Sequence, residues 1–378
     1  MHFDLTADQR LAQEMARAFA EKEIKPRAAE IDRTDEFPRD LYQRMGDLGL
    51  LGMTAPPEYG GAGADTLTWA VVQEELARAS AAVADSQLLV KLMTDMLLHN
   101  GSEAQRQAYL PALVRGEKIC VIAQTEPGTG SDVAGVQTSA RPAGDGWVLN
   151  GTKRFITAAH VCDVAVVVAT TDQQRGREGI ALFLVEFGTP GFSRGAREHL
   201  MGVRGLATGE LIFEDCRVPA SRLLAAPGDG FKRAMASLDT GRIGMGAEAV
   251  GIAQAAMGEA IGYARQRSAF GQPLAAFQAI QFMIADMSAS IEAARLLVRK
   301  AAFLKDQGRS VTREAAEAKL FASETAARVT TDALQVHGAY GYSKEFTIER
   351  LYRDARVYQI WEGTSQIQRS VISRRLLG

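Results

Sequence analysis

Cysteine is scarce in this chain. Cys120, Cys162 and Cys216 are odd in number and far apart, with no C-x-x-C spacing. That argues against a disulfide framework or a thiolate metal site and fits a reducing, cytoplasmic setting. Histidine is almost as sparse: the five present show no H-E-x-x-H or comparable spacing, so no metal-ligand set is expected. Charge of one sign is lacking too. The 43 Lys and Arg stand against 45 Asp and Glu, leaving no basic field to hold nucleic acid or an anionic membrane. Long apolar runs are missing: the densest, 164–169 and 180–185, are far too short to cross a bilayer. The opening MHFDLTADQR carries charge early and has no apolar leader core, so no targeting segment is expected. What is present is a globular balance, 47% hydrophobic and 23% charged over 378 residues, enough chain for two or three domains.

The pattern changes texture twice along the chain. Thr6 and Gln9 have capping-box spacing, and Leu11, Met15 and Phe19 recur every fourth residue, predicting an amphipathic first helix that buries that stripe. Further helices are predicted behind Pro38 and over 66–79 and 103–113. Near Gly116 short β-rich runs begin, at 119–123, 147–149, 164–170, 180–187 and 210–213, separated by turn residues. Pro227-Gly228-Asp229-Gly230 ends them. An Ala-rich, helix-periodic segment then leads to long helices over 274–306, 312–336 and 364–377, which read as a bundle. The expected architecture is α+β and multidomain: an N-terminal helical domain over 1–115, a small barrel-like β-sheet domain over 116–227 and a C-terminal four-helix bundle over 228–378.

Four stretches could carry chemistry. The loop Glu126-Pro127-Gly128-Thr129-Gly130-Ser131-Asp132 follows a strand and lets backbone N–H groups approach a phosphate or carbonyl, although it is neither a P-loop nor a Rossmann turn. Lys153 to Thr157 would set an aromatic ring and a hydroxyl at a strand end, suited to a flat heterocycle. Arg265 to Gly271 would present two guanidinium groups at a helix end. Tyr358 to Thr364 places the carboxylate of Glu362 between Trp361 and Gly363, with Thr364 positioned to cap the last helix. A carboxylate lodged among aromatic groups is desolvated and becomes a stronger base. Each stretch also has a plain structural reading: a surface turn, a core-facing Phe, an Arg answering the helix dipole, an acid at a helix approach. His337, beside Gly338 at a helix end, reads as a packing histidine.

Taken in order, these stretches together with Asp239-Thr240-Gly241-Arg242 and Gln335 to Gly338 resemble the acyl-CoA dehydrogenase family over nearly the whole chain. The helix, sheet, helix layout is that family's architecture. The resemblance implies an FAD-dependent enzyme acting on an acyl-CoA thioester, with motifs nearest the short-chain and branched-short-chain members. By it, Glu362 removes the α-proton while the flavin accepts the β-hydride. Gln124, Thr125 and Ser131 would contact the flavin, Ser131 also lying near CoA, and Phe155 and Thr157 would lie against the isoalloxazine ring. Arg267, Phe270, Gln278, Gln335 and Gly338 would hold the FAD of a neighbouring subunit, and Thr364 and Gln366 would return to the bound FAD. Asp239, Arg242, Trp361 and Gly363 would meet the substrate. The resemblance further implies a homo-oligomer, commonly a tetramer, and an electron-transferring flavoprotein as acceptor.

Two departures qualify the substrate. Relatives that carry their base on the helix around 239–242 would have it at Gly241, which here is bare, and Trp361 stands where relatives often have Tyr. The helix that lines the acyl pocket in relatives is polar here, with Asp85, Ser86, Gln87, Lys91, Thr94 and Asp95. Lys91 and Asp95, one turn apart, read as an exposed ion pair, with recognition of a polar or carboxylated acyl tail by Lys91 as the alternative. An oxidase of carrier-bound acyl groups and a flavin-fold binding protein without this activity are the competing functions.

Overall fold

The computed structural model describes residues 4–378. The N-terminal helices are α1 (Ala7–Phe19), α2 (Ala28–Thr34), α3 (Arg39–Asp47), α4 (Thr66–Ala79), α5 (Ala81–Asn100) and α6 (Glu103–Val114). Their starts are chemically specified: Thr6 and Gln9 close a reciprocal capping box on α1, Asp65 caps α4, and Ser102 with Gln105 boxes α6. The buried face of α1 differs from the predicted stripe. Leu11 is 66% and Met15 39% exposed, while Ala16 and Phe19 pack inward. Small Ala16 lets α1 lie close against α4, where Gln13 and Arg17 bond the buried carboxylate of Glu75.

Strands β1 (Cys120–Ala123), β2 (Ser139–Ala143), β3 (Gly146–Ile156), β4 (Val164–Thr170), β5 (Ile180–Glu186), β6 (Phe192–Arg197), β7 (Gly209–Pro219) and β8 (Leu223–Ala225) form one sheet in the order β6-β7-β3-β2-β4-β5-β8, with β1 parallel to β4. β4 is buried at every position because it is covered on both faces. A register slip between β3 and β7 at Lys153–Ile156 is a bulge, and within it Phe155 takes a positive φ of 56° and turns its ring outward, 53% exposed.

The chain then enters α7 (Gly230–Gln266), turns through a two-stranded hairpin of β9 (Ser268–Ala269) and β10 (Gln272–Pro273), and continues as α8 (Gln278–Asp306), α9 (Thr312–His337), α10 (Thr347–Val357) and α11 (Ser365–Leu377). α7 is the spine, packing against α4, α5, α8, α9 and α10. Its glycines let it approach closely: a Cβ at Gly244 would lie 2.6 Å from the Trp69 ring. α5 is almost wholly enclosed between α4, α6, α7 and β1. This overturns the exposed reading of Lys91 and Asp95, whose side chains are 7% and 12% exposed at a separation of 2.6 Å. The spacing of one turn fits a buried face as well as a wet one, and the tertiary surroundings of α5 decide between them.

Candidate active site

Glu362 sits in the turn between α10 and α11, and its backbone is left-handed, φ 50°, followed by Gly363 at φ 87°. A non-glycine residue in this region costs roughly 1–2 kcal/mol, so the surroundings must impose it. They do so through two buried side chains. Lys319 of α9, with no exposed surface, donates from Nζ to the carbonyls of Trp361 at 2.9 Å and Gly363 at 2.7 Å. Gln368 of α11 donates from Nε2 to the carbonyls of Glu362 at 3.1 Å and Gly363 at 2.8 Å. Thr364 caps α11 as expected, its hydroxyl accepting from the Ile367 N–H at 3.2 Å. Tyr358 and Trp361 meet edge to face at 5.3 Å beneath the turn. Neither Lys319 nor Gln368 is marked by local sequence, because each side chain binds backbone carbonyls of the turn, Lys319 from α9 and Gln368 from the first turn of α11.

The Glu362 carboxylate points at α7. Its Oε2 is enclosed and has no hydrogen-bond partner among the described residues, and a Cβ at Gly241 would lie 2.6 Å from it. Burial raises the Glu362 pKa above the usual glutamate range, opposed by the charges of Arg242 and Lys319. Burial likewise pulls Lys319 down to about 8, against the attraction of Glu362. Around this point Arg242 pairs with Asp239 at 3.0 Å, and Asp239 accepts from Thr312 at 2.8 Å. The neighbouring Thr240 donates to Asp95 at 3.0 Å, joining α7 to the Lys91–Asp95 pair. A carboxylate that is desolvated, free at one oxygen and rigidly mounted has the properties that general-base chemistry requires.

The sheet-side residues form a second assembly. Glu126 accepts from Lys153 Nζ at 2.7 Å and from the N–H groups of Gln137 and Thr138 at 2.6 and 2.9 Å. Lys153, wholly buried and held down to about 8 by that burial, also donates to the carbonyl of Gln124 at 3.1 Å. The Arg154 N–H reaches the carbonyl of Thr125 at 2.8 Å. The loop from Gln124 to Ser131 is thereby tied to the strand end bearing Phe155 and Thr157. The Glu126–Lys153 pair, which the sequence reading passed over, is what places these residues side by side. An outward aromatic ring beside a loop with Ser131 exposed suits a flat heterocycle.

Arg267, Phe270, Gln278, Gln335 and Gly338 gather elsewhere. Arg267 ends α7, 25 residues beyond Arg242, which at 1.5 Å per residue is about 37 Å along the helix. Phe270 is 96% exposed, and Arg267 stands over the Tyr340 ring at 5.6 Å. Gln278 and Gln335 are exposed, as is Gln366 on α11. Arg267, Phe270, Gln278, Gln335 and Gly338 are not brought together with Glu362 in one copy of the chain. His337 is a packing residue: it is buried, its Nδ1 lies 2.7 Å from the Ala333 carbonyl, and it stacks on Tyr263 at 4.4 Å.

Family models describing the acyl-CoA dehydrogenase N-terminal, middle and C-terminal domains match residues 6–117, 121–216 and 228–377. The chain is 48% identical to the human mitochondrial short-chain specific acyl-CoA dehydrogenase, over 96% of this chain and 88% of that one. Butyryl-CoA dehydrogenase from Megasphaera elsdenii superposes with a TM-score of 0.98 at 43% identity, covering all of both chains. A chain from a structure described as the electron transferring flavoprotein of Acidaminococcus fermentans does so at 0.98 and 44%, again over all of both chains. The chain belongs to the acyl-CoA dehydrogenase family: it is an FAD-dependent enzyme that dehydrogenates an acyl-CoA thioester.

Proposed function

We propose that the substrate is a short-chain acyl-CoA and that Glu362 is its α-proton base. The observation that carries this is the enclosed, unpartnered Oε2 of Glu362 on a turn clamped by Lys319 and Gln368. An α-hydrogen of a thioester is weakly acidic, so proton removal and β-hydride departure need one fixed geometry. FAD supplies the acceptor for that hydride. Glu362 takes the proton, its burial keeping water from competing for the carboxylate. The Glu362 backbone N–H is available to the thioester oxygen as negative charge develops there. Trp361 and Gly363 border the thioester, and Asp239 and Arg242 bind the acyl-CoA near it.

Gln124, Thr125, Ser131, Phe155 and Thr157 would hold the flavin end of FAD, with Thr364 and Gln366 returning to it. The separation along α7 supports assigning Arg267, Phe270, Gln278, Gln335 and Gly338 to the FAD of a neighbouring copy. Exposed Phe270, Tyr342 and Phe282, at 96%, 87% and 59%, give that copy apolar surface to cover, consistent with a homotetramer. An electron-transferring flavoprotein in the cytoplasm is the acceptor this reading names. No described helix is long and apolar enough to cross a membrane. The carrier-protein and non-dehydrogenase readings are not favoured, since a relative matching nearly the full chain is an acyl-CoA dehydrogenase.

The test is anaerobic addition of butyryl-CoA and other short acyl-CoAs to the yellow holoenzyme, with Glu362→Gln in parallel. Bleaching of the flavin band, slowed about 100- to 10,000-fold in the variant, is expected. An unslowed Glu362→Gln enzyme would remove Glu362 as the base.

A further inference from the structure

Glu362 shares its surroundings with two more acids. α5 and α7 pass each other in opposite directions: Asp95 accepts from Thr240, Leu88 packs at Gly244, and Gln73 Nε2 bridges the carbonyl of Ala84 at 3.2 Å and Glu248 Oε1 at 2.8 Å. That register sets Asp85 beside Glu248, two turns or about 10 Å along α7 from the glycine that faces Glu362. Glu248 is fully buried and both its oxygens are used, the second accepting from Tyr358 at 2.6 Å. Asp85 is only 3% exposed, and no hydrogen bond from any described residue reaches its carboxylate. Burial and the charge of Glu362 push it up to about 8; burial and the charge of Asp85 push Glu248 well above its usual range.

The cations nearby are committed to other partners. Lys319 serves the turn carbonyls, Arg242 pairs with Asp239, and Lys91 pairs with Asp95. Trp69 and Tyr358 are fully buried, and the Trp69 ring already carries Lys91 Nζ at 5.8 Å. A purely apolar acyl tail would leave the buried, unpartnered Asp85 carboxyl unanswered. A positive tail supplies the missing partner, since an ion pair favours the charged carboxylate that burial and the charge of Glu362 disfavour.

We propose that Asp85, backed by the buried acid Glu248, forms a distal subsite that selects acyl chains carrying a cationic nitrogen. This rests on the dehydrogenase reading above and specifies its substrate. The enzyme binds such a chain with its thioester at Glu362 and its cation, beyond the β-carbon, at Asp85.

The experiment compares matched CoA esters in anaerobic flavin reduction by the holoenzyme. The pairs are 4-(trimethylammonio)butanoyl-CoA against its neutral carbon isostere 5,5-dimethylhexanoyl-CoA, and 6-aminohexanoyl-CoA against hexanoyl-CoA, with glutaryl-CoA as the anionic comparison. At least one cationic ester is expected to beat its neutral partner by about tenfold or more in second-order rate constant. Asp85→Asn, nearly isosteric, is expected to abolish that ratio, an effect that a merely structural role would not produce. If neutral esters reduce the flavin and neither cationic ester surpasses its partner, the subsite is refuted while the dehydrogenase reading stands. A preference that survives in Asp85→Asn also refutes it. If no CoA ester in this set or among short-chain esters reduces the flavin, the dehydrogenase reading falls and the subsite with it.

Discussion

Replacing Lys319 by Met should separate activity from stability. In the folded protein Lys319 is held at about 8 rather than the usual value near 10.4, so its burial costs about 3 kcal/mol at neutral pH. The variant escapes that cost. Against this, the Trp361 carbonyl loses its described donor while Gly363 keeps Gln368, and one buried unpaired carbonyl costs about 1–3 kcal/mol. The two effects nearly cancel, and thermal unfolding should shift by no more than about 5 °C. Catalysis has no such compensation. With half its clamp gone, the left-handed turn at Glu362 can relax, and displacement of a reacting group by about 1 Å commonly costs about 100-fold in rate. Loss of the Lys319 charge also removes one of the two cations that oppose the raised pKa of Glu362, so the acid limb of the pH–rate profile should move to higher pH. Differential scanning calorimetry with stopped-flow flavin reduction over pH tests all three. Unchanged rates and an unmoved acid limb would refute the clamp; collapse of the fold would refute the energy balance.

Other outcomes follow from the same geometry. Gly241→Ala places a Cβ 2.6 Å from Glu362 Oε2, and flavin reduction should slow about 100-fold with the melting temperature little changed; wild-type rates would show that the carboxylate does not rest there. In the parent enzyme the rate should fall as pH drops through a midpoint above the ordinary glutamate range, because the raised pKa of Glu362 means its base form is lost earlier on acidification. A midpoint at the ordinary value would contradict its burial. Lys153→Met leaves Glu126 buried without its cation, which should cost about 3–5 kcal/mol and release bound FAD, read by denaturant unfolding and the flavin-to-protein absorbance ratio.

Much of the architecture was readable in advance where local chemistry decides it. The capping residues of α1, the span 66–79 of α4 and the span 164–170 of β4 are set by neighbours in sequence, and the structure agrees. β2 and β6 went unrecognised because each is short and carries Arg with Pro or Gly; their pairing to β3 and β7 comes from the sheet, not from their own composition. The inward face of α1 was misjudged because side-chain size across the contact, not hydrophobicity alone, chose Ala16 over Leu11 and Met15. At the site, Glu362 stood out through its neighbours in the chain. Lys319, Gln368, Glu126 with Lys153, and Asp85 with Glu248 did not, since what each does depends on a partner that only folding brings close.

At Gly241, one pocket of space lies between α7 and the turn, and the Glu362 carboxylate fills it so fully that even a methyl group on the helix would overlap it. Residues 241 and 362 thus share one volume: a side chain gained on the helix has to be answered by a shift of the carboxylate on the turn.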